Sequence, residues 1–263
     1  MQIDIDGSGP PLVLVHSLLT DSRAFDLVTP QFAKSRRVIR VSLPGFGATP
    51  ALTIDSPTIY DLADAVATAL DEADVDDTGA VLGNGLGAFV CVALAIQHGD
   101  RFGPLIVANG GAVFSHERRV AFTNMSDLVS AGGMEAVVDV AVRRIFTEQH
   151  LASHPEVIAE RRAVLVETDP VAFAAACRAL RDMDLTDRLG VVANPTLVIA
   201  GGADQTTPPE MARELGAAIP GAELAELTGC GHCPPLEQPE SFIAAVEEFL
   251  DRTASHTPLK GGH

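Results

Sequence analysis

The stretch VLGNGLGA, residues 81–88, decides how the chain is read. A short apolar run, 80–82, leads into Gly83-Asn84-Gly85-Leu86-Gly87, after which residues 88–96 are uninterrupted helix formers. A buried strand, a sharp turn and a helix in that order make a nucleophile elbow, G-x-S-x-G, where flanking glycines let the chain turn tightly enough to lift one side chain above a sheet. The lifted residue here is Gly85, which has no side chain. The rest of the chain must therefore decide whether this is an elbow, and what such a turn does without its serine.

Working outward, residues 11–16, PLVLVH, form a continuous apolar run of the kind a strand shows when both faces are covered. Asp21 is placed to cap a helix through residue 34, with Phe25, Val28 and Phe32 on one face. A second strand, 37–43, is stopped by Pro44-Gly45-Phe46-Gly47. Ser56-Pro57 starts a helix whose buried stripe is Tyr60, Ala63, Val66, Ala67 and Leu70. With the elbow strand 79–82, its helix 87–98 and a buried strand at 105–108, the pattern alternates strand and helix. Such alternation calls for a parallel sheet with helices on both faces.

Between 114 and 189 the pattern changes to helices alone, expected at 118–130, 134–145, 154–167 and 170–181 and separated by Gly132-Gly133, His154-Pro155 and Asp169-Pro170. The alternation resumes with a strand at 195–200, a helix at 209–219, a strand at 223–227 and a closing helix at 241–250. One short strand, 2–5, precedes PLVLVH. These boundaries predict a discontinuous core, 1–113 and 190–252, a helical cap, 114–189, and a tail without fixed structure, 253–263.

Bulk composition narrows the function classes. A chain of 263 residues, 47% hydrophobic, suits one large α/β core with an insertion. Its formal charge of −17, from 18 basic and 35 acidic residues, repels nucleic acid and anionic lipid. A small-molecule substrate is the expected partner, with no nucleic acid and no membrane, in a monomer or homodimer. No apolar run reaches the ~18 residues that span a bilayer, and MQIDIDGSG carries no basic segment leading to an apolar core. Four cysteines, Cys91, Cys177, Cys230 and Cys233, are too few for a disulfide framework, which points to a reducing cytoplasm. Cys230-Gly231-His232-Cys233 spells C-x-x-C, but the prolines 234 and 235 that follow it do not suit the helix a redox pair opens. No metal or cofactor is expected.

Two residues carry proton chemistry. Asp204 lies just past the strand PTLVIA, where a parallel sheet presents functional groups; it suits either capping the turn DQTTPP or orienting a histidine. His232 follows the next strand in a glycine-bearing loop suited to displaying its side chain.

The chain resembles the α/β-hydrolase superfamily, and within it the 3-oxoadipate enol-lactonase type of small lactone and ester hydrolases. The resemblance runs from about residue 9 to 250 through LVLVHSLLTDSRAFD, GNGLG, HPEVIAERRAVLVETDP, CRALRDMDL, PTLVIAGGADQTTPP and GCGHCPPLEQPESF. It implies an α/β-hydrolase fold, a mostly parallel central sheet flanked by helices with an inserted helical cap. It also implies a site in the order elbow, acid, base, here Gly85, Asp204 and His232. The loop His16-Ser17-Leu18 would be the oxyanion loop, with the main-chain N–H groups of Leu18 and Leu86 as donors, and His16 and Ser17 shaping the loop. Substrate selection would fall to the cap, where a carboxylate-bearing substrate could pair with an arginine; Arg144, Phe146 and Arg181 are the candidate contacts. The chain departs from the pattern at Gly85, in its single strand before PLVLVH, and in LPGFGATP, which lacks the arginine that enol-lactonases often carry there.

Glycine at the elbow removes the nucleophile without endangering the fold, because it occupies the strained backbone of that position at little cost. Three readings stay open: an ester or lactone hydrolase whose serine has become glycine; a serine-free enzyme using His232 and Asp204 as a general base for water activation, C–C cleavage, decarboxylation or isomerisation; and a non-catalytic ligand-binding member.

Overall fold

In the computed structural model, which describes residues 1–76 and 78–256, the apolar runs pair as strands of one sheet. They are β1 (Ile3–Asp6), β2 (Pro11–Val15), β3 (Arg37–Val41), β4 (Ala80–Asn84), β5 (Leu105–Ala108), β6 (Thr196–Gly201) and β7 (Glu223–Leu227), in the order β1-β3-β2-β4-β5-β6-β7. All neighbours run parallel except β1, which lies antiparallel to β3 at the edge with Ile3 opposite Val41. Four of the five inner strands, β2, β4, β5 and β6, are buried along their whole length. This is the expected α/β-hydrolase fold.

Alternate residues of each strand face opposite layers. Val13, Val15, Ile39, Val41 and Val81 pack in the layer with α2 (Ile59–Glu72), α3 (Leu86–His98) and α9 (Pro209–Ala218). Leu12, Leu14, Leu82, Ile106 and Ile199 pack under Phe25 and Phe32, and under Phe242, Val246 and Phe249 of α11 (Pro239–His256). From β2 the chain adds β3 on one side, then crosses back to place β4 on the other. The strand order therefore reverses between β2 and β4, and a crevice opens beyond their carboxyl ends.

Several boundaries differ from the sequence expectation, three of them for clear local reasons. The helix expected from Asp21 to residue 34 is broken: Asp21 caps a 3-10 turn, Ser22–Phe25, and α1 (Thr29–Phe32) starts anew. Pro30 has no N–H for a continuous helix and suits only a first turn. α2 is capped by Thr58 rather than Ser56, through a reciprocal box with Asp61. The closing helix α11 runs to His256, so the tail expected from 253 is helical in its first four residues; 257–263 lie outside the described residues. Arg252 explains the extension, pairing with Glu248 one turn back and with Glu223 on β7.

Between β5 and β6 lie helices alone: α4 (His116–Gly132), α5 (Val138–Ile145), α6 (Glu148–Ser153), α7 (Glu156–Val166) and α8 (Pro170–Asp182). The third expected helix, 154–167, starts two residues later as α7, and α6, capped by Thr147, was not anticipated. Where this segment leaves and rejoins the sheet, Val113 bridges Asp184 and the Leu185 N–H bonds to the Ala112 carbonyl. α10 (Pro234–Glu237) is a single turn after β7. Among the described residues no helix is long and apolar enough to cross a membrane.

One tight joint in this frame is between α3 and β2. A Cβ on Gly87 would stand 2.1 Å from the Val15 carbonyl oxygen and 2.7 Å from that of His16, both main-chain atoms that cannot rotate away. Gly87→Ala is therefore expected to destabilise the fold by about 1–3 kcal/mol. Gly190→Ala, where nothing lies within 4 Å of the new Cβ, should leave stability unchanged. Urea unfolding midpoints of the two variants check the contrast.

Candidate active site

The elbow forms where β4 ends. Gly85 adopts φ +55°, ψ −118°, and α3 begins at the next residue. The turn is closed by the Gly85 N–H to the Ala108 carbonyl, 3.0 Å, and by the Gly87 N–H to the His16 carbonyl, 2.9 Å. Gly83 is required on the strand side, because a Cβ there would meet the Gly87 carbonyl oxygen at 2.1 Å. The Leu86 N–H opens α3 without an acceptor among the described residues, and the Leu18 N–H on the facing loop also has none. Two unpaired donors beside a helix N-terminus make a place for negative charge.

Asp204 sits beyond β6 and His232 beyond β7. The two readings of Asp204 both hold, one for each oxygen. Its Oδ1 accepts from the main-chain N–H groups of Thr206 (2.7 Å) and Thr207 (3.1 Å), which closes the turn. Its Oδ2 lies 2.8 Å from His232 Nδ1 and accepts the Thr207 hydroxyl at 2.6 Å. Burial raises the Asp204 pKa, but the charge of His232, its hydrogen bond and those of Thr207 and Thr206 outweigh this and hold the carboxyl below its ordinary value. With the Nδ1 proton directed at Asp204, Nε2 is left with its lone pair as a base.

The histidine loop is clamped by groups that the sequence reading passed over. Asn84, the second residue of GNGLG, donates to the His232 carbonyl at 3.1 Å. Asn109, in the left-handed region at φ +52°, donates to the Gly231 carbonyl at 2.7 Å and accepts the Gly201 N–H at 2.8 Å. Glu237 accepts the Gly231 N–H at 2.8 Å, and the His232 N–H bonds to the Ile145 carbonyl at 3.0 Å. An asparagine directly after a buried strand was the one available signal for Asn109. Cys230 and Cys233 are unpaired and buried, and burial pushes both thiols up, Cys233 to about 12, away from the lowered values that a reactive redox thiol uses.

The loop after β2 is held by His16. Its Nε2 accepts the Leu43 N–H at 3.0 Å, so Nδ1 carries the proton and donates to the Ser17 carbonyl at 2.9 Å. Burial lowers the His16 pKa and keeps the ring neutral, as both bonds require. Ser17, in the same loop, faces the histidine. Its Oγ lies 3.4 Å from His232 Nε2.

Above the site, a cleft of ≈ 440 Å³ is lined by His232, Thr206, Phe146 and Phe122 together with Arg118, Arg143 and Arg144. Arg144 also borders the small cavity over Ser17 and Gly85. Phe146 stacks on His150, centroids 4.8 Å apart. Arg181, the third candidate contact, is not brought to the site. It makes a two-bond pair with Asp182 at 2.6 Å and borders a different depression, beside Ser56 and Tyr60. The next residue on its own helix captures it, which helical spacing does not reveal. Among the described residues no cluster of His, Cys, Asp and Glu could hold a metal ion.

A sequence model described as the alpha/beta hydrolase family matches residues 12–245. The chain is 26% identical over 250 residues to 3-oxoadipate enol-lactonase 1 of Acinetobacter baylyi, covering 95% of this chain and 92% of that protein. It is 28% identical over 256 residues to the pimeloyl-[acyl-carrier protein] methyl ester esterase of Nitrosomonas europaea, covering 94% and 98%. In structure it is similar to the enol-lactonase from Burkholderia xenovorans LB400, with a TM-score of 0.89 at 30% identity, covering 95% and 96% of the two chains.

Two outcomes are expected from this geometry. The Asp204 pKa is depressed on folding, so its ion pair stabilises the protein above the unfolded carboxyl pKa, and that contribution is lost as pH falls through the lower folded value. Asp204→Asn should cost about 1–3 kcal/mol at neutral pH, and the gap to wild type should close on acidification below about pH 4; urea midpoints across pH 2–7 measure it. At the elbow, a Cβ on Gly85 would stand 2.2 Å from Ser17 Oγ and 2.9 Å from His232 Nε2. Gly85→Ser should lower Tm through both backbone strain and this clash, and adding Ser17→Gly should recover the clash component, a non-additivity that a double-mutant cycle reads.

Proposed function

We propose, for a chain that belongs to the alpha/beta hydrolase family, that it hydrolyses a small carboxylic ester or lactone with His232 as the proton-transfer group. The observation that carries this reading is His232 itself, with Nδ1 2.8 Å from Asp204 and Nε2 2.9 Å from the point where an elbow side chain would begin. Asp204 holds the ring and stabilises the imidazolium that forms when Nε2 takes a proton. The Leu18 and Leu86 N–H groups receive the carbonyl oxygen as it becomes an oxyanion. When the tetrahedral intermediate collapses, His232 returns the proton to the departing alkoxide. Gly85 forms no acyl intermediate, so the attacking oxygen must be brought to Nε2 from elsewhere.

Residues 114–189 act as the cap of this site and select its substrate. Arg143 and Arg144 have no carboxylate partner among the described residues, and with Arg118 they place three guanidinium groups on a cleft wall that also carries Glu117 and Glu148. A substrate carrying a carboxylate at a distance from the scissile bond suits that wall, with Phe146 beside its apolar portion. The family resemblance supports the reaction class, since an enol-lactonase and a methyl ester esterase are both among the similar proteins. The four buried, unpaired thiols suit a reducing cytoplasm.

One observation favours a site built without an elbow serine over one that has lost it. Ser17 Oγ already stands where an elbow side chain would go. On this reading the chain hydrolyses its substrate with glycine at 85, through His232.

Assay with aryl esters and enol-lactones tests this. Wild-type protein is expected to turn over at least one of them, and His232→Ala to lower kcat/KM by about 10²–10⁴-fold. An unchanged rate in His232→Ala would remove the histidine from the chemistry and the reading with it.

A further inference from the structure

The hydrolytic reading leaves the attacking oxygen unassigned, and the structure offers one candidate. Among the described residues, the hydrogen-bond partner of His232 Nε2 is Ser17 Oγ, at 3.4 Å, and that hydroxyl has no other partner. Catalytic hydrogen bonds in unliganded sites are commonly this long and tighten when substrate arrives. Ser17 is 2% exposed, and what exposure remains faces the cavity bordered by Gly85, Leu86, Phe122, Met125 and His232.

Other hydroxyls and thiols near the loop are committed elsewhere. The Thr207 hydroxyl serves Asp204 on the Nδ1 side of the ring. Thr20 Oγ1 accepts the Ser17 N–H at 3.1 Å and lies 3.3 Å from the Ser17 carbonyl, so it builds the turn. Cys230 and Cys233 flank the histidine in sequence, but both are fully buried and neither bonds to its ring.

We propose that Ser17 is the nucleophile of this site, carried on the loop after β2 instead of on the elbow. The proposal rests on the hydrolytic reading above and names its missing group. Ser17 Oγ bonds to the ester carbonyl carbon while its proton passes to His232 Nε2, and the carbonyl π electrons move onto the oxygen facing the Leu18 and Leu86 N–H groups. The oxyanion then reforms C=O, the C–O bond to the leaving alkoxide breaks, and the alkoxide takes the proton from His232. For a lactone this opens the ring and leaves the whole acyl chain on Ser17. Water then gives a proton to Nε2, attacks the acyl carbon, and expels Ser17 Oγ, which recovers the proton. The sum is ester plus water giving acid plus alcohol.

Glycine at 85 has a role in this arrangement. Any Cβ there would overlap Ser17 Oγ, so the empty elbow is the room that the relocated hydroxyl uses. The adjoining cavity, about 30 Å³ and walled by Leu86, Phe122, Met125 and Leu180, has room only for the reacting group, and an acyl chain attached at that point would run into the ≈ 440 Å³ cleft that shares Phe122 and His232 with it.

The test is covalent capture of the wild-type protein with an alkyl fluorophosphonate, followed by peptide mass mapping, alongside ester kinetics of Ser17→Ala and His232→Ala. In capture, an Oγ–P bond forms and fluoride leaves. The expected result is an adduct on the peptide bearing Ser17, its loss in His232→Ala, and a fall of about 10³-fold or more in kcat for Ser17→Ala, whose melting temperature reports folding. An adduct elsewhere, or an unlabelled Ser17, overturns the proposal whatever the variants do, and the capture result stands even if Ser17→Ala fails to fold. Wild-type hydrolysis that needs His232 but persists in Ser17→Ala would sink the serine while keeping the hydrolytic reading. Absence of any His232-dependent hydrolysis would sink both.

Discussion

The site depends on one close approach, that of the first turn of α3 to the end of β2. Because Gly87 has no side chain, its N–H reaches the His16 carbonyl at 2.9 Å and the helix seats directly against strand backbone. That contact puts the Leu86 N–H at the elbow beside the Leu18 N–H on the β2 loop. Two residues from segments about seventy positions apart thereby border one small cavity. The topology supplies the rest, since β2 and β4 flank the place where strand order reverses and β6 and β7 deliver Asp204 and His232 to the same edge.

Around that point the structure uses buried amides and a neutral imidazole as struts. His16 joins Leu43 to Ser17, Asn109 joins Gly201 to Gly231, and Asn84 reaches the His232 carbonyl. All three side chains are almost fully buried. A buried polar group left without partners costs about 1–3 kcal/mol, so loop positions that satisfy these groups are favoured over those that do not. The result is that His232, the proposed base, has its carbonyl held by Asn84 and its N–H by the Ile145 carbonyl, while Asn109 holds the preceding residue, Gly231.

Much of the fold was legible because it rests on local patterns. The runs PLVLVH and PTLVIA are strands because only residues buried on both faces read as unbroken apolar segments, and the glycines of GNGLG mark a turn that backbone contact demands. Asp204 and His232 were legible because each follows such a strand. Partnerships between distant or competing groups were not. Arg181 is taken by Asp182, a neighbour that offers no periodic signal, whereas Arg144 stays in the cleft with no such partner. The break at Pro30 and the capping box at Thr58 were present in the sequence, but each competed with a plausible alternative start a few residues away. For Ser17 the sequence favours loop shaping over a direct role, because nothing in HSLL shows that its hydroxyl will meet a histidine 215 residues further on.

Residues 17 and 85 share a single volume, and that has a consequence for how the proposed nucleophile is held. At an elbow, a serine is fixed by strained backbone at positive φ, a strain of about 1–3 kcal/mol that glycine avoids. Ser17 has no such rigid seat; its position comes from hydrogen bonds, the His16 ring on its carbonyl and Thr20 on its N–H. Its next residue, Leu18, carries one of the two proposed oxyanion donors. Nucleophile and donor are therefore covalently adjacent and move together, so displacement of the loop changes their placement against His232 and Leu86 but hardly against each other. In a site of this kind precision is set by the neutral His16 bridge to Leu43, and the elbow contributes only its unobstructed space and the Leu86 N–H.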